Sequence, residues 1–579
     1  MFVLAPVTIG DRVVMNHKVG VEPDTIIGDD VELQAGTTVE RGITLLPGKT
    51  YANAPIELYG DTDVAEIKSR HGTRRAVNHS FTTILYQVIG MLFYLSVWIG
   101  GLSVGLWGAN EAYKVDHYAG YSFLLAAVPV IMIAFFCLAI PIIKWIVLGK
   151  VEEGRSHITP ELLAAHWLLG RFMSTCSWTI PLIGTPALNN MLYWTMGLTY
   201  GRQCQGTFAN FSAAMDLVKM GDRVWLGANN VVVPWYFEGH EMVFKEVRFE
   251  DQAVCSPNVI TLAGSTVRSG GVLGPSSVLG PNGEVQQGMV YMNRAPKMKS
   301  GGGLAEQAPA DTGITTSGYF FFQVFCLILA SFNYVLLFAC AIPAAIFYQK
   351  VLLEETRVDS WTLTENPGHW KLIPLEHWGV VFIPLLVFGV LLVFTVVCAP
   401  IVWLTRRRQN GKSKHFLDFR FAMFLWEGHM SALNLFSVTH TTSLLTRGTE
   451  LGPILCRLYG AKIGRNVYWD NFQPTEFDML VTGDNCAFDG CDIFMHSVVG
   501  IKSSYVFTQE PVIVGDNCVL RPGSYPLPPV LMGNNCVLGT NAIVMKNDAV
   551  PDDGYACGNP ARVVQDVSVL YGKSPAMGV

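Results

Sequence analysis

The chain has 579 residues, of which 50% are hydrophobic and only 15% charged, with a mean hydropathy of +0.33. That balance argues against an ordinary soluble protein and for membrane segments, and the length leaves room for several domains. A formal net charge of −6 gives no sequence-wide attraction to nucleic acid, and the thirteen cysteines show no disulfide framework, which fits a reducing side of the membrane.

In chain order, the first feature is a ladder of aliphatic residues spaced by six: Ile9, Met15, Val21, Ile27, Leu33, Val39 and Leu45. The same ladder returns as Phe249, Cys255, Thr261, Val267, Leu273, Leu279 and Val285, and again as Val514, Leu520, Pro526, Met532, Leu538, Val544, Val550 and Ala556. A sustained hexad with small residues four positions after each mark is the signature of a left-handed parallel β-helix, in which each hexad forms one side of a triangular coil. Cys486, Cys518 and Cys536 fall on small inward positions and read as core thiols.

Between the ladders lie four apolar stretches long enough to span a bilayer, at 82–107, 121–147, 319–347 and 380–404. Basic residues flank each pair on the outside: Lys68, Arg70, Arg74 and Arg75, then Lys150 and Arg155; Arg294, Lys297 and Lys299, then Arg406, Arg407, Arg408, Lys412 and Lys414. The short loop at 110–120 is nearly neutral and that at 350–377 is mixed, so the expectation is two transmembrane hairpins with every β-helix on the cytoplasmic side. Pro141 and Trp145, like Pro400 and Trp403, mark the two exits, the tryptophans at an interfacial aromatic belt. Aromatic-rich helices at 160–177 and 415–436 are expected to lie in the interface or to pack on the β-helices.

A larger repeat follows: hairpin, interfacial helix, β-helix. The second and third ladders open alike, DLVKMGD from Asp216 and DMLVTGD from Asp478, and all three close alike, at Tyr51–Pro55, Tyr291–Pro296 and Tyr555–Arg562. The first unit lacks its hairpin, so the chain is expected to be the C-terminal part of a larger architecture. The reading by segment is: 1–57 β-helix 1, 58–81 basic linker, 82–149 hairpin 1, 150–200 interfacial helix and linker, 201–300 β-helix 2, 301–318 linker, 319–405 hairpin 2, 406–451 linker and interfacial helix, 452–567 β-helix 3, 568–579 tail.

Two histidines carry the candidate chemistry. His496, in DGCDIFMHSVVGIK, and His240, in WYFEGHEMVF, each fall two residues after a hexad mark, and each is a candidate to take a proton from an acceptor amine or hydroxyl. His17 has weaker context. Asp489 and Asp492 are candidates to orient His496, or are polar turn residues. The closing Gly558-Asn559-Pro560-Ala561-Arg562 turn is either a donor site, with Arg562 meeting phosphate, or a structural cap. No Cys/His spacing for a metal, Lys-bearing phosphate loop or nucleophile elbow is found.

GTELGPILCRLYGAKIGRNV, the third ladder, FMHSVVGIK, VIVGDNCVLRPGS and CGNPARVV together resemble the membrane-bound C-terminal region of poly-lysine-synthetase-like nonribosomal peptide synthetases. The resemblance implies a multi-domain membrane protein in which three left-handed parallel β-helix (hexapeptide-repeat) domains alternate with transmembrane α-helical hairpins. It also implies transfer of aminoacyl groups from a thioester to an acceptor amine. The donor would be phosphopantetheine-tethered or an acyl-CoA, with no tightly bound cofactor. Partners would be adenylation and carrier domains, in trans or on a preceding part, and a small amine or alcohol acceptor. The chain departs from that family in carrying neither an adenylation nor a carrier domain. A CoA-dependent membrane acyltransferase and a non-catalytic scaffold for a partner synthetase stay open beside it. A further expectation is that the three β-helices associate within one chain, with sites in the clefts between them.

Overall fold

A computed structural model describes residues 5–16, 19–34, 36–52, 56–62, 81–179, 186–202, 204, 206, 209–238, 241–292, 295–299, 316–347, 383–405, 414–415, 448–470, 476–501 and 504–564. Short parallel strands make up three regions, 7–61, 199–299 and 462–564, and each region contributes to three sheets in turn. In the first region Val7 pairs with Thr25, Val14 with Glu32 and Gly20 with Thr38, so the chain returns to the same side every 18 residues, three hexads. The same register joins Phe249 to Val267 and Val514 to Met532. Each region is thus a three-sided parallel coil.

The ladder side chains point into the coils and are buried from Ile27 to Leu45, Phe249 to Val285 and Val514 to Ala556. Ile9 and Met15 depart from the expectation: they are exposed on the opening turn, where no described turn of that coil stacks above them.

Corner chemistry in the third coil follows a repeated Gly-Asp/Asn-Asn-Cys run. Asn466, Asn485, Asn517, Asn535 and Asp553 all sit at positive φ, between 53° and 58°, a region that Asn and Asp tolerate better than other residues with a Cβ. Their side chains form a hydrogen-bonded ladder at 2.9–3.2 Å. The preceding Asp484, Asp516, Asn534 and Asp552 each accept a backbone N–H from the turn before. A Cβ at Gly483 would stand 2.2 Å from Asp516 Oδ1, so a side chain there would displace this cap. The thiols of Cys486, Cys518 and Cys536 point inward and each donates to a carbonyl of the next turn at 3.0 Å. Each coil closes by folding its last strand back antiparallel: Lys49–Ala52 on Glu57–Asp61, Met289–Met292 on Ala295–Lys299, Tyr555–Cys557 on Arg562–Val564. That pairing covers an edge that would otherwise be open.

Seven described helices matter to this arrangement: α1 Phe81–Val115, α2 His117–Val147, α3 Pro160–Thr179, α4 Pro186–Thr195, α5 Thr316–Phe347, α6 Ile383–Thr405 and α7 Leu451–Leu458. Helix α1 and the 130–147 part of α2 are each long and apolar enough to cross a membrane. The expected loop at 110–120 shrinks to a single break at Asp116, because its carboxylate accepts the Ala119 N–H at 3.0 Å and starts α2 at once. Gly101, Gly105 and Ala109 give α1 a stripe of small residues against α2, and a Cβ at Gly105 would lie 2.8 Å from Val128 Cγ1. Buried residues of α5 and α6 form one cluster that Tyr113 and Val130 of α1 and α2 also touch.

The helices are keyed to the coils twice over in the same way. Trp145 Nε1 donates to the carbonyl of Thr195, the last residue of α4, at 2.7 Å; Trp403 Nε1 donates to that of Leu458, the last of α7, at 2.8 Å. The two exit tryptophans therefore hold the helix that feeds each coil as well as carrying exposed ring surface. Lys144, 1% exposed, pairs with Asp216, 7% exposed, at 2.7 Å, and Asp216 also accepts the Val151 N–H. Tyr459 OH donates to Thr395 O of α6.

Removing one partner of a buried pair leaves an uncompensated charge. Asp216→Ala is expected to cost about 3 kcal/mol, and Lys144→Met with Asp216→Leu to recover most of it. Thermal unfolding of the three proteins in one detergent checks this; equal midpoints for the single and double variants would refute it.

Candidate active site

The third coil leaves its regular path once. Its register from Leu480 to Val512 is 32 residues, against 19 on the turn before and 18 on the turns after, because the chain throws out a two-stranded arm, His496–Ile501 on Ser504–Gln509. His496 is the first residue of that arm and pairs with Gln509, while Glu510 N closes the root on Met495 O at 2.9 Å. The arm's second strand also pairs with Lys414–His415, which follows α6.

The His496 side chain is 19% exposed, and its Nδ1 lies 2.7 Å from Oε1 of Glu476, which is 4% exposed. Glu476 stands immediately before the 3-10 turn Phe477–Met479 that opens the coil. With Nδ1 engaged by a buried carboxylate, proton uptake by the neutral ring falls to Nε2. Phe494 lies against the His496 ring at 5.9 Å between centroids and against Tyr525 at 5.8 Å. Tyr525 is fully buried; burial pushes its phenol well above the usual range, and the charges of Asp492 and Glu476 push the same way, so it stays protonated.

Asp492 begins the same turn and reaches out of the coil: its Oδ2 accepts from Asn258 Nδ2 of the second coil at 2.5 Å. The candidate site thus sits on a seam between two coils. Lower on that seam, Asn559 Nδ2 donates to Pro275 O of the second coil at 3.2 Å. The third-sheet strands run 525–526 and 543–544 between these levels, with Asp492 N on Ser524 O and Ile543 N on Gly558 O. His496 and the closing turn therefore share one side of the coil, three strand spacings apart, about 14 Å. In that turn Gly558 has a φ of +98°, Asn559 and Pro560 are half-buried, and Arg562 is exposed.

A second set of contacts joins the third coil to the first. Arg521 Nη1 meets Glu22 Oε2 at 2.5 Å, Thr540 Oγ1 donates to Glu22 Oε1 at 2.8 Å, and Asn541 Nδ2 donates to Thr38 Oγ1 at 3.1 Å. Residues that face outward on the third sheet of every coil are buried: Glu22, Thr38 and Glu40; Ile260, Leu262 and Val278; Tyr525, Leu527 and Ile543.

Two sequence expectations change. The carboxylate on His496 Nδ1 is Glu476, and Asp492 reaches Asn258 of the second coil. The signal was present, since EFDMLVTGD carries a glutamate where AMDLVKMGD, in the second coil, has alanine. The place of His496 in the second coil is not taken by a histidine. The second coil has its own arm, Trp235–Glu238 on Glu241–Phe244, whose root closes by Lys245 N on Pro234 O, so the residue in register with His496 is Trp235. His240 and His17 lie outside the described residues. Against Trp235 stands His166 of α3, their rings 5.8 Å apart, with Phe244 on its other side. Burial lowers the His166 pKa to about 4.

No family model matches the chain. It is 20% identical over 552 residues to the delta-poly-L-ornithine synthetase of Acinetobacter baumannii, an alignment that takes 93% of this chain and 39% of that protein. The chain is thus a distant relative of a poly-amino-acid synthetase and spans about two fifths of the length of the curated relative it matches.

His166 gives a pH test. Neutral when folded and protonated near pH 6.5 when unfolded, it contributes stability that is present above about pH 6.5 and lost as pH falls toward 4, at most about 3 kcal/mol. His166→Phe is expected to flatten that part of the stability–pH curve relative to wild type, measured by thermal midpoints from pH 4 to 7.

Proposed function

We propose that the chain is a membrane-anchored acyl- or aminoacyltransferase of a nonribosomal-peptide-synthetase-like system, forming amide bonds from thioester donors. Three left-handed parallel β-helix domains, joined by two transmembrane hairpins and lying on the cytoplasmic side, pack as a ring within one chain. The observation that carries the reading is the Glu476–His496 pair on the seam between the second and third coils. The distant likeness to a poly-ornithine synthetase supports an amino acid as acceptor and as the transferred group.

In this reading a thioester lies along the seam, its tether near the Gly558–Arg562 turn and its carbonyl at His496. The acceptor amine attacks the carbonyl carbon, a C–N bond forms, and electron density moves to the oxygen. His496 Nε2 takes the proton that the amine loses, and Glu476 holds the Nδ1–H and balances the imidazolium. Collapse of the tetrahedral species breaks the C–S bond, and the histidine returns the proton to the departing thiolate. Tyr525, kept protonated by burial, lends the pocket a donor without adding charge.

The test supplies the full chain in lipid nanodiscs with synthetic aminoacyl-pantetheine and aminoacyl-CoA thioesters and follows amide product by mass spectrometry. His496→Ala is expected to lower the rate by about 10²–10⁴-fold, the range of a lost general base. Glu476→Gln should lower kcat while leaving KM close to wild type, because it alters proton handling rather than donor binding. Unchanged product formation in both variants would remove the chemistry from the Glu476–His496 pair, and no product from wild type would turn the reading toward a scaffold. Preference between the two thioesters separates a carrier-fed from a CoA-fed enzyme.

A further inference from the structure

The second and third coils can be laid on one another residue by residue, and the comparison is specific because three independent features agree. Each opens with a 3-10 turn, Met215–Leu217 or Phe477–Met479, followed by a strand beginning at Val218 or Leu480. Each throws out its arm from the same side, with roots at Pro234–Lys245 and Met495–Glu510. Each resumes three residues past the arm, Phe244 to Val247 and Gln509 to Val512. In this register Glu476 corresponds to Ala214, Asp492 to Val231, His496 to Trp235 and Tyr525 to Ile260.

All four polar members of the candidate site thus have apolar or aromatic counterparts. They are also packed as such. Ala214 is fully buried in a cluster with Leu217, Met242 and Phe244, against which Trp235 and Val151 rest. Ile260 is buried in a second cluster with Leu262 and Val278, against which Val231 rests. His166 of α3 closes over Trp235 from outside. Neither Ala214, Val231 nor Ile260 has an ionisable group, and the indole of Trp235 is a donor only.

Resting on the transferase reading above, we propose that the second coil is a wall and not a catalyst: its own counterpart of the His496 site is filled, and its part in the reaction is to offer the Asn258–Pro275 corner that completes the third coil's seam. One proton-handling site then serves every cycle carried out by these two coils, for the first acceptor and for each lengthened one.

The experiment compares wild type, His496→Ala, Trp235→Phe and the two combined, as full chains in nanodiscs, with an aminoacyl-pantetheine thioester as donor. Binding of a non-transferable aminoacyl-pantetheine thioether is measured in parallel by native mass spectrometry. Trp235→Phe, which keeps the cluster filled, is expected to hold the rate and the thioether binding within about twofold of wild type. His496→Ala is expected to show the same loss of about 10²–10⁴-fold, with nothing further lost on adding Trp235→Phe. A residual rate in His496→Ala that disappears when Trp235→Phe is added would overturn the proposal, as would thioether binding lost in Trp235→Phe alone. A wild type that neither turns over nor binds the thioether would instead overturn the transferase reading itself and this inference with it.

Discussion

Everything in this molecule rests on strands that pair parallel with the turn before and the turn after. An 18-residue turn places one ladder residue, mostly aliphatic, and one small residue per side inward, while charged groups face outward or leave the coil. Chemistry therefore has two places to live: outward faces that a neighbouring coil covers, and points where the path is broken. His496 satisfies both, being the first residue of an arm and lying beside a seam covered by the second coil. Glu476 reaches it from the 3-10 turn that leads into the strand Leu480–Thr482.

The outward faces that meet between coils differ in character. The third coil meets the first through Glu22, Arg521, Thr540 and Thr38, a hydrogen-bonded and charged junction. Glu40, buried beside it, has its carboxyl pushed up by desolvation while it accepts the Ile56 N–H. The seam with the second coil instead sets a histidine against Phe494, itself packed on Tyr525, and holds it by a buried carboxylate. Junctions of the first kind set register; the second kind places a histidine between an aromatic ring and a buried carboxylate.

Much of the coil was legible in the sequence because its period is short and unbroken: each ladder residue predicts the next, and Ile27 to Leu45 or Val514 to Ala556 are buried as that predicts. Legibility failed where the period is interrupted. Counting hexads through an arm loses register, and the two arms differ in length, so hexad spacing does not reveal that Trp235 holds the place of His496. Glu476 was missed because it is twenty residues from His496 and bears no hexad relation to it; only the fold brings an opening turn against the root of an arm. The one-residue break at Asp116 was hidden for a different reason: a cap is a local hydrogen bond, not a periodicity.

The paired indole bonds, Trp145 to Thr195 and Trp403 to Leu458, have a consequence for how the reactants of the proposed transfer would reach the seam. They tie the second and third coils to the helices that carry them. In a bilayer, the mouth of the seam would then keep a constant height and compass bearing above the lipid. A reactant tethered at that surface searches a plane instead of a volume, and arrives already facing the right way.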